Sequence, residues 1–204
     1  MFRNLAVQQL TEESDRMLVA PLRFKSVLLD EMDHVIAAAR MGRPASMILK
    51  NNSISDRDII LKLQEASCAG VRIDMIVRGI CCVRAEVPGK TENLHIRSLV
   101  GRYLEHSRIY IFGQGERARY YIGSADWMTR STLRRVEIAA PVTAPALKAR
   151  LQHIFDTMLA DNCNARVQQP DGSYVRRMPG ADAVDCQAQF YEEAYQANVH
   201  SSLK

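Results

Sequence analysis

The chain has 204 residues and a mass of 23.0 kDa, which is the size of one compact domain, and its 47% hydrophobic and 25% charged residues exclude a disordered chain. The net charge is only +4, no apolar run approaches the roughly 18–20 residues that span a bilayer, and the first ten residues are not a signal peptide. The five cysteines are odd in number and form no C-x-x-C motif, so we expect neither a disulfide framework nor a zinc finger, and a reducing cytoplasm is the default location.

In the N-terminal third, a polar segment precedes a strand–helix–strand pattern. Residues 1–16 are polar and irregular, and we interpret them as a linker or the truncated edge of a larger structure. Apolar spacing predicts a helix over 24–40. A buried strand is predicted over 46–49, then a helix capped by Ser55, then a strand over 72–77. This order predicts a parallel strand pair with a right-handed crossover.

The rest of the chain is predicted to continue with shorter elements. Two strand-like segments flank Gly113-Gln114-Gly115 and should form a hairpin. This Gly-x-Gly is not a dinucleotide fingerprint, because Ala118 occupies the third glycine position and no helix follows. The predicted elements are strands over 95–100, 108–112, 119–122 and 134–139, a helix over 146–159, a turn at 171–172 and a helix over 182–197. We therefore predict an α/β domain with a mixed sheet flanked by helices.

Positive charge is concentrated in the middle of the chain. Between Arg72 and Arg135 there are twelve Lys and Arg residues against six Asp and Glu, and eleven of the twelve are arginine, whose planar fork grips phosphate oxygens two at a time. Ligands of open α/β sheets gather at the carboxyl ends of parallel strands, which here carry Lys50 and Arg78. The pattern predicts a polyanion site there, although a merely solvated basic surface remains an equal alternative.

Among the five histidines, His106 is the one whose neighbours favour phosphate binding and proton transfer. It stands beside Arg108 directly before a predicted strand, and Gly123-Ser124-Ala125-Asp126 follows the return strand. Such an imidazole can bind phosphate and move a proton. The other four are interpreted as surface or core residues: His34, His95, His153 and His200.

Other site chemistries find little support in the sequence. The histidines and cysteines lack metal-ligand spacing, and Ser124 lacks the G-x-S-x-G elbow of a hydrolase. Trp127 is predicted to be a core or edge anchor. An aromatic content of 6% is too low for a surface that stacks single-stranded nucleic acid, so no nucleic-acid partner is expected.

Several separated motifs resemble known families. His106-Ser107-Arg108 with Gly123-Ser124-Ala125-Asp126 resembles a degenerate half of the phospholipase D signature H-x-K-x₄-D…G-S-x-N, in which Arg108, Gly113 and Asp126 replace lysine, aspartate and asparagine. These replacements argue against phosphodiester hydrolysis. Residues 76–82, 103–110 and 122–130 resemble the last domain of polyphosphate kinases, and the resemblance extends over roughly 17–189.

The resemblance implies a phospholipase-D-like fold over 17–197, with 198–204 as a tail. It implies an enzyme that transfers the ATP γ-phosphate reversibly to polyphosphate through a phosphohistidine, with Mg²⁺ bound mainly through the nucleotide and a preceding domain. That domain would supply the phosphorylated histidine. The positions of the family's nucleotide-phosphate ligands fall on Arg78 and His106, with His106 the catalytic candidate.

A second set of residues is expected to line the path of the polyanion: Lys50, Asn52, Arg108, Ser124, Arg130 and Arg135. For Arg130 and Arg135, a salt bridge with Asp126 or Glu137 is an equal alternative. Asp126 is interpreted as a group that orients His106 or an arginine. No metal ligand is assigned to this chain.

Three functions remain open at this point. The chain is expected to act as the C-terminal domain of a polyphosphate kinase that is inactive alone, binds ATP, ADP and polyphosphate, and works with the remaining domains of the enzyme in a homo-oligomer. One alternative is a homodimeric phosphotransferase or phosphodiesterase that pairs two His106 residues. Another is a non-catalytic polyphosphate-binding module. The expected location is the cytoplasm, with peripheral membrane contact left open.

Overall fold

One nine-stranded mixed sheet organises the chain, for which the computed structural model describes residues 17–180 and 182–202. The strand order is β1-β7-β6-β5-β2-β3-β4-β8-β9. The strands are β1 (Leu18–Ala20), β2 (Ser46–Asn51), β3 (Arg72–Val77), β4 (Leu94–Leu99), β5 (Arg108–Phe112), β6 (Arg119–Gly123), β7 (Glu137–Val142), β8 (Ala165–Gln168) and β9 (Tyr174–Arg176). The helices are α1 (Phe24–Arg40), α2 (Arg57–Cys68), α3 (Thr129–Leu133), α4 (Pro145–Ala160) and α5 (Cys186–Ser202).

The strand directions confirm the predicted α/β class. β2 pairs in parallel with β3, and β3 with β4, as a strand–helix–strand order requires. The remaining pairs are antiparallel, including the predicted β5–β6 hairpin. The sheet is therefore parallel at its centre and antiparallel towards both edges.

Alternating side chains of the central strands form a core on each face of the sheet. On one face, Met47 and Leu49 of β2 and Ile73 of β3 join a large cluster beneath α1 and α2. In α1 the buried positions Phe24, Leu28, Met32, Val35 and Ile36 follow the period of an amphipathic helix. On the other face, a smaller cluster joins the sheet to α4 and α5 through Ile76, Leu99, Phe155, Met158 and Cys186.

Several predicted boundaries are wrong in ways that the structure explains. The cap of α2 is Asp56 rather than Ser55, because the Asp56 carboxylate accepts hydrogen bonds from the amides of residues 58 and 59. The strand predicted over 134–139 is β7, which begins at Glu137 because it follows the unpredicted α3. β8 and β9 were also unpredicted, although the predicted turn at 171–172 lies between them.

The C-terminal helix differs from its predicted bounds. The last helix is α5, which begins at Cys186 and continues to Ser202, so residues 198–202 are helical rather than a separate tail. The prediction for 1–16 lies outside the described residues. Over the described ranges, no helix is both long and apolar enough to cross a membrane.

The strand register brings several chain segments to one edge of the sheet, here called the carboxyl edge. Lys50 is opposite both Ile76 and Ile109, and Arg108 is opposite Gly123. Thus β2, β3, β4 and β6 end at this edge, while β5 and β7 begin there. The loop between β4 and β5, residues 100–107, is called the His106 loop.

A buried carboxylate fixes the junction of α4, β8 and α5. Asp161 is fully buried, and its Oδ1 accepts from the amides of Cys163, Asn164 and Ala165 while its Oδ2 accepts from that of Cys186. Burial by itself raises the pKa of this carboxyl, but the backbone donors outweigh it and the pKa lies below its ordinary value. The backbone donors of this junction therefore stabilise the ionised form of Asp161.

We expect Asp161→Asn to lower the free energy of unfolding by about 2–3 kcal/mol at pH 7, because an amide NH₂ would face backbone N–H donors. Because the pKa of Asp161 is lower in the folded than in the unfolded chain, its ionised form adds to the free energy of unfolding. This contribution is complete above the unfolded pKa of about 4, and it is lost as the pH falls through the lower folded pKa. Urea unfolding of both proteins between pH 7 and pH 3 measures this difference. The control is Asp156→Asn, an exposed carboxylate on α4, which should change stability little. Equal effects of the two substitutions would contradict the assignment.

Candidate functional site

Three polar side chains, two of them buried, hold three consecutive carbonyl groups of the His106 loop. Lys50 Nζ donates to the carbonyl oxygen of Ser107 at 3.2 Å, and Arg108 Nη1 donates to that of His106 at 2.7 Å. With the Asn52 amide oriented to match its neighbours, its nitrogen donates to the carbonyl oxygen of Glu105 at 2.7 Å. The backbone that carries His106 is thus fixed from below by the ends of β2 and β5.

The Lys50 ammonium is neutralised inside the protein. Its side chain is 1% exposed, and Nζ lies 3.2 Å from Oε2 of Glu105. Burial lowers the pKa of Lys50 below its ordinary value, and the attraction of Glu105 only partly offsets that effect. Asn52 is also buried. Both were expected to line the polyanion path, but in this structure they lie beneath the surface and support the loop.

Arg108 and Asp126 form a second, partly buried pair. Nε and Nη2 of Arg108 each lie 3.2 Å from a carboxylate oxygen of Asp126, the bidentate geometry that an arginine fork favours. Asp126 Oδ1 also accepts from the backbone amides of Asn52 and Ser53. The interpretation of Asp126 as an orienting group agrees with this geometry, because it ties the end of β6 to the end of β2. Arg108 is largely engaged in the same network.

A glutamine on the last helix anchors the other end of the His106 loop. Gln187 Oε1 accepts from the amide of Tyr103, and its Nε2 donates to the Tyr103 carbonyl and to Glu105, each at 2.8 Å. Gly101 lets this side chain approach, because a Cβ at that position would lie 2.5 Å from Gln187 Oε1. No feature of the local sequence predicts this contact, since about 80 residues separate its partners.

Arg78 stands at the end of β3 with its guanidinium available. It is half-buried and lines a cavity of about 300 Å³ together with the His106 loop, including Arg102, Tyr103 and Glu105. The Arg102 guanidinium lies over the Tyr103 ring at 5.5 Å. Within the described residues, neither Arg78 nor Arg102 forms an ion pair. Sequence reasoning selected Arg78 but missed Arg102 and Tyr103.

The remaining candidates at the carboxyl edge are exposed. His106 lies at the surface of its loop, and Arg130 is exposed on α3 without a carboxylate partner in the described part of the chain. Arg135 is 56% exposed and lies 3.9 Å from Glu137, so its predicted salt bridge is at most loose. Ser124 donates to the Glu137 carboxylate and accepts from the Ile138 amide. The exposed basic side chains thus lie on segments that begin or end at the carboxyl edge.

Residues set aside by the sequence analysis have clear structural positions. Trp127 is fully buried and packs against Tyr110 with ring centroids 5.2 Å apart, so its prediction as a core anchor is confirmed. His34 and His153 are exposed on α1 and α4, while His95, on β4, pairs with Glu86. The backbone of His200 lies in α5.

The described chain offers neither a metal-ligand cluster nor a disulfide. Residues 17–180 and 182–202 contain no group of three or more His, Cys, Asp or Glu side chains placed to hold a metal ion. All five cysteines are free thiols. The carboxylates at the carboxyl edge, Glu105, Asp126 and Glu137, each accept from a neighbouring cation or hydroxyl.

Comparison with known proteins identifies relatives that match most of the chain. Residues 17–189 match the family model described as polyphosphate kinase C-terminal domain 2. The polyphosphate kinase of Lactiplantibacillus plantarum is 43% identical over 183 residues, which is 89% of this chain and 26% of that protein. The chain therefore spans about a quarter of the length of the curated relatives it matches.

Solved structures give the same picture of the fold. The crystal structure of polyphosphate kinase from Porphyromonas gingivalis superposes with a TM-score of 0.89 at 32% identity, over 96% of this chain and 30% of that one. Nuc from Salmonella typhimurium, a phospholipase D family member, superposes with a TM-score of 0.54 at 14% identity, over 79% of this chain and 97% of its own. The second likeness concerns the fold alone, and it confirms the phospholipase-D-like architecture.

The buried Lys50–Glu105 pair can be tested by a double-mutant cycle. We expect Lys50→Met to lower the free energy of unfolding by about 3–5 kcal/mol, because it leaves the buried Glu105 carboxylate without its cation. Adding Glu105→Gln should recover most of the loss. The matched control is Lys62→Met, whose partners Asp33 and Glu65 are exposed and whose loss should cost about 1 kcal/mol or less. Additive effects of the Lys50 and Glu105 substitutions in urea unfolding would refute the pairing.

Proposed function

Since this chain belongs to the polyphosphate kinase family, as its C-terminal phospholipase-D-like domain, we propose that it binds the phosphates of ATP and polyphosphate during reversible transfer of the ATP γ-phosphate. The observation that carries the proposal is the set of unpaired or loosely paired cations at the carboxyl edge, beside a fixed His106 loop. Phosphoryl transfer asks chiefly for positioning and positive charge, which this surface supplies.

Arg78 and His106 are the proposed nucleotide-phosphate ligands. The half-buried guanidinium of Arg78 lines a cavity large enough for phosphate groups, and burial strengthens its hydrogen bonds to an anion. The His106 imidazole belongs to a loop whose carbonyl groups are held in place. Little conformational entropy of the loop is therefore lost when His106 binds a phosphate. There it can donate to the transferring group and, when protonated, offset developing negative charge.

The exposed arginines form the proposed path of the polyanion. Arg130 lies on α3, and Arg135 lies on the segment that follows it, 3.9 Å from Glu137, the carboxylate to which Ser124 donates. Because they are exposed and at most loosely paired, their charge remains available to successive phosphates of a chain. Lys50, Asn52 and Arg108 take the supporting role that their burial indicates.

The rest of the enzyme is proposed to complete the site. This chain corresponds to about a quarter of its curated relatives, and we place the phosphorylated histidine in a preceding domain. Three large apolar side chains near the carboxyl edge, Ile80, Leu104 and Val136, are at least half exposed and suit packing against such a domain. We expect the whole enzyme to be a homo-oligomer and to act in the cytoplasm, where ATP is available.

Magnesium is assigned to the substrate rather than to this chain. The described residues offer no ligand cluster for a divalent cation, so no step is derived through a metal site here. In the proposal, Mg²⁺ enters bound to the nucleotide and is held by groups of the preceding domain. What this chain contributes is donors to the phosphate oxygens.

Substitution of the two proposed ligands should weaken binding of polyphosphate. We expect Arg78→Ala/His106→Ala to raise the dissociation constant for a polyphosphate chain about tenfold or more, because two donors to phosphate are lost. The matched control, Arg40→Ala/His153→Ala, removes the same residue types from exposed helix positions away from the carboxyl edge, since Arg40 ends α1 just before β2 begins at the opposite edge. Titration at several salt concentrations measures both. Equal affinities of the two variants would refute the site assignment.

Activity of the isolated chain distinguishes half a site from a complete one. We expect the purified 204-residue chain to form no polyphosphate from ATP and Mg²⁺ at any protein concentration, because the phosphate-carrying histidine is proposed to lie elsewhere. Adding a relative's polyphosphate kinase that lacks its last domain should restore synthesis, and the Arg78→Ala/His106→Ala variant should not. Product from the chain alone would contradict the proposal. A rate that rises faster than linearly with protein concentration would instead support a homodimer that pairs two His106 sites.

A further inference from the structure

A larger cavity lies at the edge of the sheet opposite the carboxyl edge. It has a volume of about 590 Å³ and lies between α1, the start of β2 and the β5–β6 turn. β5 begins at the carboxyl edge with Arg108 and ends at this cavity with Phe112, a span of about 13 Å at the usual rise per residue. The two sites are therefore separate, and no residue lines both.

The floor of this cavity is apolar. Val35 and Phe112 are buried beneath it, and Ala38 and Ala45 are half-buried at its sides. The small side chains of the two alanines leave the space that larger residues would fill. A flat apolar group can therefore lie against this floor with most of its surface removed from water.

The walls of the cavity carry an excess of positive charge. Glu31 is buried there, but its carboxylate accepts from Arg119 at 2.7 Å and from the Tyr121 hydroxyl at 2.8 Å, so its charge is already balanced. Arg43 and Arg117 also line the cavity, both are exposed, and neither is paired with a carboxylate in the described chain. The Arg43 guanidinium donates to the Met41 sulfur at 3.2 Å.

We propose that this cavity is a second ligand site, which binds a nucleoside phosphate with its base on the apolar floor and its phosphates on Arg43 and Arg117. An inorganic anion would leave the floor exposed to water, and an uncharged aromatic molecule would leave both arginines unused. A volume of about 590 Å³ lies within the range of small-molecule sites. The inference does not rest on the proposed function of the carboxyl edge, because it uses none of its residues.

The test is made with the 204-residue chain carrying Arg78→Ala/His106→Ala, so that binding at the carboxyl edge is suppressed. ADP binding to this variant is measured by calorimetric titration, with tripolyphosphate and adenosine as the two partial ligands. We expect ADP to bind at one site per chain and about tenfold or more tightly than either partial ligand. No binding of ADP to this variant would overturn the proposal.

Further substitutions in the same background separate the base from the phosphates. Arg43→Ala/Arg117→Ala should weaken ADP about tenfold or more, while the charge-matched control Arg57→Ala/Arg166→Ala, at exposed positions away from the cavity, should change it less than about twofold. Ala38→Leu should weaken ADP but leave tripolyphosphate unaffected, because it fills the floor without changing charge.

Two results would identify a basic surface without a nucleoside site. One is tripolyphosphate binding as tightly as ADP together with no effect of Ala38→Leu. The other is equal weakening of ADP by the two arginine pairs. Thermal unfolding of each variant verifies that it is folded. Loss of polyphosphate binding at the carboxyl edge would not affect these measurements, so the two proposals fail independently.

Discussion

The bidentate pair between Arg108 and Asp126 is the interaction on which the geometry of the carboxyl edge depends. Asp126 lies just after β6 and binds the amides that follow β2, while Arg108 begins β5 and holds the His106 carbonyl. One ion pair thus joins three strand ends and the loop that carries the candidate histidine. Removing either partner would leave a charge with little access to solvent and would release all four segments together.

This arrangement divides the cations of the carboxyl edge between two tasks. Lys50 and Arg108 are paired with Glu105 and Asp126, and they donate their hydrogen bonds to groups within the chain. Arg78, Arg102, Arg130 and Arg135 remain unpaired or loosely paired and face solvent. Counting basic residues in the sequence cannot make this distinction, because a side chain becomes structural only when folding brings a buried carboxylate to it. The number of cations available to a ligand is therefore smaller than the number of basic residues in this part of the sequence.

The sequence predicted those features that local pattern determines. α1 and β5 were predicted with their observed bounds, because a long amphipathic period and a strand bounded by a glycine turn are strong local signals. β8, β9 and α3 are three to five residues long and owe their existence to neighbouring elements, so they carry no comparable signal. Lys50 was correctly placed at the carboxyl edge, but its burial depends on Glu105. The contact of Gln187 with the His106 loop joins distant parts of the chain and could not be read from either segment.

Because the candidate residues are exposed, phosphoryl transfer at this site requires a second surface that covers them. Phosphoryl transfer is efficient when water is excluded, since a low dielectric strengthens the attraction between arginines and phosphate oxygens. At the carboxyl edge, His106, Arg130 and Arg135 lie on an open surface, and Ile80, Leu104 and Val136 are exposed nearby. A partner surface that buried these apolar groups would cover the cations at the same time. The stabilisation gained from apolar contact would then also offset the cost of desolvating charge, so that assembly and formation of an effective site become a single event.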